Sequence, residues 1–208
     1  LIWMGNADFM QSQIEEKLAE GFTCIKLKIG AIDFKRELEL LRFIRQNFTA
    51  DQIEIRVDAN GAFKPDDALE KMQQLSQFNL HSIEQPIKAN QVSRMRLLCD
   101  NPPFPIALDE ELIGVYGVEN KQELLEKIKP QYIILKPSLV GGFSGTIEWI
   151  SVAEKLNIGW WITSALESNV GLNAITQFTY TLKSSLPQGL GTGSLYTNNF
   201  DCPLEINR

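Results

Sequence analysis

Short apolar runs recur along the chain, each followed by a longer stretch whose apolar residues fall three or four apart. The first spacing reads as a buried strand and the second as a helix with one apolar face. Leu1 to Met4 starts the series as a strand cut short. Asp8 to Glu20 follows as a helix, with Ile14 and Leu18 four apart and Gly21 ending it. Strand Cys24–Ile29 leads to helix Asp33–Phe48, whose Leu38, Leu41 and Ile44 form a stripe and whose Asp33 is a natural cap. Next come strand Ile53–Asp58 with helix Pro65–Phe78, and strand Ser82–Glu84 with the region Gln91–Cys99. Strand Ile106–Asp109 precedes helix Lys121–Ile128, and strand Tyr132–Lys136 precedes Ser144–Leu156. Strand Gly159–Thr163, helix Val170–Lys183 and a short strand near Gly189–Gly191 complete it. Strict alternation of this kind implies an α/β fold with a parallel sheet, and eight strands imply closure into a TIM-like (β/α)7β barrel. One such domain is expected over residues 1–208.

Charge falls at one repeated place in this pattern. Lys28, Asp58, Glu84, Asp109 and Lys136 each end an apolar run, and neighbours in the series are roughly 25–30 residues apart. That spacing is one strand-plus-helix unit of a barrel of about 250 residues. Residues two apart in a strand share a face, so Glu54, Arg56 and Asp58 point one way while Ile53, Ile55 and Val57 point the other. Lys26 and Lys28 likewise share a face. Any one of these acids could be a solvated partner of a nearby lysine; three at matching strand ends describe a site, because catalytic groups of such barrels come from the C-terminal ends of several strands.

Composition narrows the function classes. The chain has 208 residues, 44% hydrophobic and 22% charged, as a soluble globular domain does. A formal net charge of -6 argues against a nucleic-acid partner, which needs clustered Lys and Arg. No apolar stretch approaches the ~20 residues of a membrane span and no leader opens the chain, so a cytoplasmic protein without membrane contact is expected. Cys24, Cys99 and Cys202 have no metal-type spacing and read as reduced thiols. His81, the sole histidine, precedes a strand and reads as a loop or packing residue.

Three carboxylates on adjacent strand ends make an oxygen-rich cage, which suits Mg²⁺ (or Mn²⁺) with positions open to substrate. The like charge of Lys26 and a nearby dication would disfavour the ammonium form of Lys28, fitting it to take a proton from carbon next to a carboxylate. A metal at that carboxylate would stabilise the negative charge that results. Lys136 would approach the other face, as a second acid/base or a fixed cation.

The stretches Lys26-Leu27-Lys28, Asp58-Ala59-Asn60-Gly61, Ile83-Glu84-Gln85-Pro86, Ala107-Leu108-Asp109-Glu110 and Leu135-Lys136-Pro137 together resemble the enolase superfamily, muconate-lactonizing subgroup, over nearly the whole chain. The superfamily's pairing of a Lys or His base with Mg²⁺ is a known pattern, so this chemistry is implied by the resemblance as well as by the residues. It implies Asp58, Glu84 and Asp109 as metal ligands and Lys28 and Lys136 as the acid/base lysines. Arg56-Val57-Asp58-Ala59-Asn60, the run from Lys136 to Gly142, the run from Ser164 to Gly171 and the run from Gly189 to Gly193 point, within the subgroup, to lyases that dehydrate a cyclohexadiene carboxylate bearing a succinyl chain. That would place Lys26, Arg56, Ser164, Ser168, Gly191 and Gly193 near the small-molecule carboxylate. A racemase or epimerase of N-acylated amino acids is the alternative, using the same cage. An Asp-x-Asp at the last strand would favour a dipeptide epimerase, and here the chain reads Gly191-Thr192-Gly193-Ser194. Family members also carry an N-terminal capping domain, which is expected to be missing from a chain that starts inside the first barrel strand.

Overall fold

The computed structural model describes residues 1–192 and 195–202. Two compact units emerge, one of residues 1–111 and 127–131, the other of residues 112–126 and from Tyr132 onward.

The first unit holds helix α1 (Ala7–Ala19), strand β1 (Cys24–Lys28), α2 (Phe34–Asn47), β2 (Glu54–Asp58), α3 (Pro65–Ser76), β3 (Ser82–Glu84), α4 (Val92–Asp100) and β4 (Ile106–Leu108). Its strands are parallel neighbours in the order β1-β2-β3-β4. Ile25, Leu27, Ile55, Val57 and Ile83 are fully buried, as are Leu41 and Ile44 of α2 and Met72 and Leu75 of α3. The period of two in the strands and the stripe in the helices therefore meet in one core. Asp33 caps α2 as expected, its side chain accepting from the Lys35 N–H.

Register is what builds the site. Lys28 is level with Asp58 across β1 and β2, and Asp58 with Glu84 across β2 and β3, so the last residues of three strands form a row. The turns beyond those ends continue the alignment: Ala59 donates its N–H to Glu84 O, Gly61 to Gln85 O and Phe63 to Pro86 O. Gly61 sits at φ +72, where a Cβ would lie 2.9 Å from Lys88 Cα. Only glycine allows this approach.

The second unit holds most of α5 (Val118–Ile128), then β5 (Tyr132–Leu135), α6 (Gly142–Lys155), β6 (Gly159–Ile162) and α7 (Asn169–Thr181). β5 and β6 are parallel, and α6 lies against both. Lys121 of α5 is 1% exposed, and its ammonium donates to Gly145 O at 3.0 Å and Glu148 Oε2 at 2.7 Å while standing 5.3 Å from the Trp149 ring. Gly145 is required there, since a Cβ would meet Val140 O at 2.2 Å. Replacing Lys121 by Met keeps the volume but strands these acceptors, so we expect a loss of about 1–3 kcal/mol in unfolding free energy. An unchanged denaturation midpoint would show the lysine to be dispensable.

Six strands are present among the described residues, against eight expected. The stretch Leu1–Met4 is reduced to one parallel bridge between Ile2 and Leu27, and the stretch at Gly189 to one with Thr163. Both keep ladder bonds, from Ile2 N–H to Lys26 O and from Gly189 N–H to Ile162 O. The strand expected to reach Asp109 stops at Leu108, because the Asp109 N–H turns to the Gln85 side chain. Helix α5 starts earlier than its apolar stripe, just after Gly117 at φ +80.

Candidate active site

The row of strand ends carries a dense ionic cluster. Lys28 Nζ lies 2.6 Å from Asp58 Oδ2 and 2.6 Å from Asn60 Oδ1. Lys26, one step back on the same face of β1, lies 2.9 Å from the same Asp58 oxygen and is hydrogen-bonded to Glu84 Oε2. Asp58 is fully buried and Glu84 is 2% exposed. Burial works against ionising Asp58, yet the Lys26 and Lys28 ammoniums overcome it and hold the carboxyl below the ordinary aspartate range. Burial also opposes the charge on Lys26, and Glu84 and Asp58 outweigh it, raising that ammonium above the usual lysine range. The Lys26 ammonium thus lies against both carboxylates.

A carboxyl held below its unfolded value of 3.8 stabilises the fold above that pH and loses the contribution as pH falls through its folded value. The thermal midpoint should therefore drop below about pH 4, and Asp58→Asn should flatten that acid limb. An acid limb identical in the variant would assign it to other carboxylates.

Two amides order the turns beyond these strand ends, and neither shows in hydrophobic periodicity or charge spacing. Asn60, at φ 43, donates its backbone N–H to Asp58 Oδ1 and its side-chain N–H to Glu110 Oε1, which aims its oxygen at Lys28. Gln85, buried at φ 41, accepts from the N–H groups of Asp109 and Glu111 and donates to Ile87 O and Glu111 Oε2. Its amide capacity is fully used. Glu111 in turn accepts from the Asn90 N–H, and burial raises its carboxyl above the usual range despite these bonds. The sequence signal for each amide is its place just past a strand-ending acid, two residues on in Asp58-Ala59-Asn60 and one in Glu84-Gln85.

Lys26, Lys28, Asp58 and Glu84 are thus brought together. Asp109 is 2% exposed and follows β4, two residues past Ala107, the register partner of Glu84. Among the described residues no three His, Cys, Asp or Glu side chains are disposed to hold an ion. The Lys26 ammonium takes oxygens from two of the three acids. The donor set itself suits a hard dication: three carboxylates, all buried, two level with each other across neighbouring strands.

Arg56 is 5% exposed and committed to Glu54, its Nε lying 2.7 Å from Oε1, toward the opposite end of β2 from Asp58. The same Glu54 oxygen accepts from Cys24 Sγ, whose thiol burial pushes up to about 12. All three cysteines are free. His81 Nδ1 lies 3.0 Å from the hydroxyl of its neighbour Ser82.

In the second unit Lys136 directly follows β5 and is half-buried, its carbonyl accepting from the N–H groups of Leu139 and Val140. Ser164 lies two residues past the end of β6; its hydroxyl is 2.8 Å from Thr192 Oγ1 and donates to Gly189 O. Ser168 is the N-cap residue of α7 without a side-chain cap bond, and it lines a hollow of about 310 Å³ with Leu166, Tyr196, Asn198, Asn199 and Phe200. Gly191 is exposed with open space where a Cβ would stand. Gly193 lies outside the described residues. No helix is long and apolar enough to cross a membrane among the described residues.

The chain is 60% identical, over its whole length, to an o-succinylbenzoate synthase of Desulfotalea psychrophila, covering 56% of that protein. The crystal structure of MenC from Desulfotalea psychrophila LSv54 superposes with a TM-score of 0.91 at 58% identity, over 99% of this chain and 57% of that one. An L-Ala-D/L-Glu epimerase of Bacillus subtilis is 25% identical over 81% of this chain and 46% of its own length. The chain spans about half the length of the relatives it matches. The profile described as Enolase C-terminal domain-like matches residues 10–206, and the chain belongs to that family.

Proposed function

We propose that this chain forms the barrel part of an o-succinylbenzoate synthase, a lyase of menaquinone biosynthesis. We also propose that the strands close into a (β/α)7β barrel, with the bridged stretches at Ile2 and Gly189 as its first and last strands. The observation that carries it is the ionic row Lys26, Lys28, Asp58 and Glu84, within a chain 60% identical to an o-succinylbenzoate synthase.

Asp58, Glu84 and Asp109 would hold Mg²⁺ (or Mn²⁺), and a dication there would draw electron density from a substrate carboxylate. Lys28, paired with Asp58 as an ammonium at 2.6 Å, would first release a proton to solvent when a dication takes over that carboxylate; the amine then takes the proton from the carbon alpha to the substrate carboxylate and becomes ammonium again. It then returns the proton to the departing hydroxyl, which leaves as water as the new C=C bond forms. Asn60 and Glu110 hold Lys28 in place through one amide, so the nitrogen meets its proton without searching rotamers. Lys136 is assigned the second lysine, as a cation over the substrate ring. Ser164, Ser168, Gly191 and Gly193 are assigned to the succinyl end.

The test is to give the full protein that carries this chain the succinyl-cyclohexadiene carboxylate and, separately, N-succinyl amino acids of one hand. Loss of water from the first at the higher kcat/KM supports the synthase. Racemisation of the second, with no dehydration, would replace it with the racemase.

A further inference from the structure

Asp58 Oδ2 receives two ammoniums, Lys28 at 2.6 Å and Lys26 at 2.9 Å, and Glu84 Oε2 receives Lys26 as well. Lys26 is therefore the ion that joins the two buried acids. Its side chain remains 20% exposed, against 0% for Asp58 and 3% for Glu84, so it has a way out that they lack. A lysine on four flexible carbons can swing, whereas the carboxylates are fixed at strand ends in register. A dication seated on these oxygens would lie within a few Å of the ammonium, where like charges repel strongly in a partly buried place.

We propose that Lys26 is an internal competitor for the divalent cation, its ammonium and the metal exchanging on Asp58 Oδ2 and Glu84 Oε2. This rests on the metal reading given above. Without the metal, Lys26 neutralises two buried acids that would otherwise repel each other and admit water. With the metal, the displaced ammonium turns to the open side of the site. The cost is a weaker apparent metal affinity, since binding must draw on the fraction of molecules in which Lys26 has moved.

The experiment uses the full protein stripped of metal by chelator, with Mn²⁺ as the probe, its affinity read by electron paramagnetic resonance and stability by thermal midpoint. Lys26→Met should lower the midpoint without Mn²⁺ and tighten Mn²⁺ binding by about tenfold or more. The rise in midpoint on adding Mn²⁺ should then exceed that of the wild type. Lys26→Gln serves if the methionine variant does not fold, and reductive methylation of the wild type gives a measure free of substitution: Lys26 should label faster once Mn²⁺ is present. Equal or weaker Mn²⁺ binding by a folded Lys26 variant, while Asp109→Asn abolishes binding, overturns the competition and leaves the metal site standing. Equal Mn²⁺ binding by wild type and Asp109→Asn overturns the metal reading, and the competition with it.

Discussion

Lys28→Ala is expected to cut kcat for dehydration by about 10²–10⁴-fold, the usual worth of a positioned acid–base group. The fold should survive, because Asp58 keeps Lys26 as an ion partner at 2.9 Å. Lys28→Arg sharpens the result. The guanidinium retains the positive charge beside Asp58 and Asn60 but does not give up a proton at working pH. It should therefore be nearly as inactive as the alanine variant. If Lys28→Arg turned over substrate like the wild type, Lys28 would be an electrostatic post and proton abstraction would have to be assigned elsewhere.

The second large effect is on stability. Asp58→Ala removes the shared anion of Lys26 and Lys28 and the acceptor of the Asn60 N–H in one step. Breaking a buried ion pair from one side typically costs about 3–5 kcal/mol, because the remaining charge has lost its compensation. Lys26 still has Glu84, so the lower part of that range is expected. Asp58→Asn should cost less, since an amide oxygen can still accept from Asn60 and one lysine. Chemical denaturation of the three proteins checks the order wild type, Asp58→Asn, Asp58→Ala. A loss under about 1 kcal/mol for Asp58→Ala would mean that the cluster is solvated and contributes little.

Much of this was legible in the chain itself. Among the described residues the α-helices lie within a few residues of where the sequence pattern places them, because burying one face is what forms them. The strand ends were legible too: Lys28, Asp58 and Glu84 close β1, β2 and β3, where each apolar run stops at a charge. What the sequence could not show is how the charges divide. Lys26 and Lys28 share a face in any reading, but only the register of Lys28, Asp58 and Glu84 sends Lys26 to both acids and Lys28 to Asp58 and Asn60. Arg56 looked equivalent to Asp58 by alternation, yet its long side chain turns to Glu54. Asn60 and Gln85 escaped assignment because their roles depend on positive φ and on bonds to residues 50 and 26 positions away, Glu110 and Glu111. The outermost strands fell short for a further reason: Ile2 and Gly189 each hold a single bridge, and short apolar runs do not reveal how much ladder they make.

The most direct measurement is anomalous diffraction at the manganese edge from crystals of the full protein grown with Mn²⁺. One peak should appear in contact with Asp58, Glu84 and Asp109, at roughly 2.0–2.2 Å from a carboxylate oxygen of each, and the Lys26 ammonium should no longer bridge Asp58 and Glu84. A fully occupied peak that leaves any of the three acids without contact, or none at saturating Mn²⁺, would contradict the carboxylate cage on which the proposed chemistry depends.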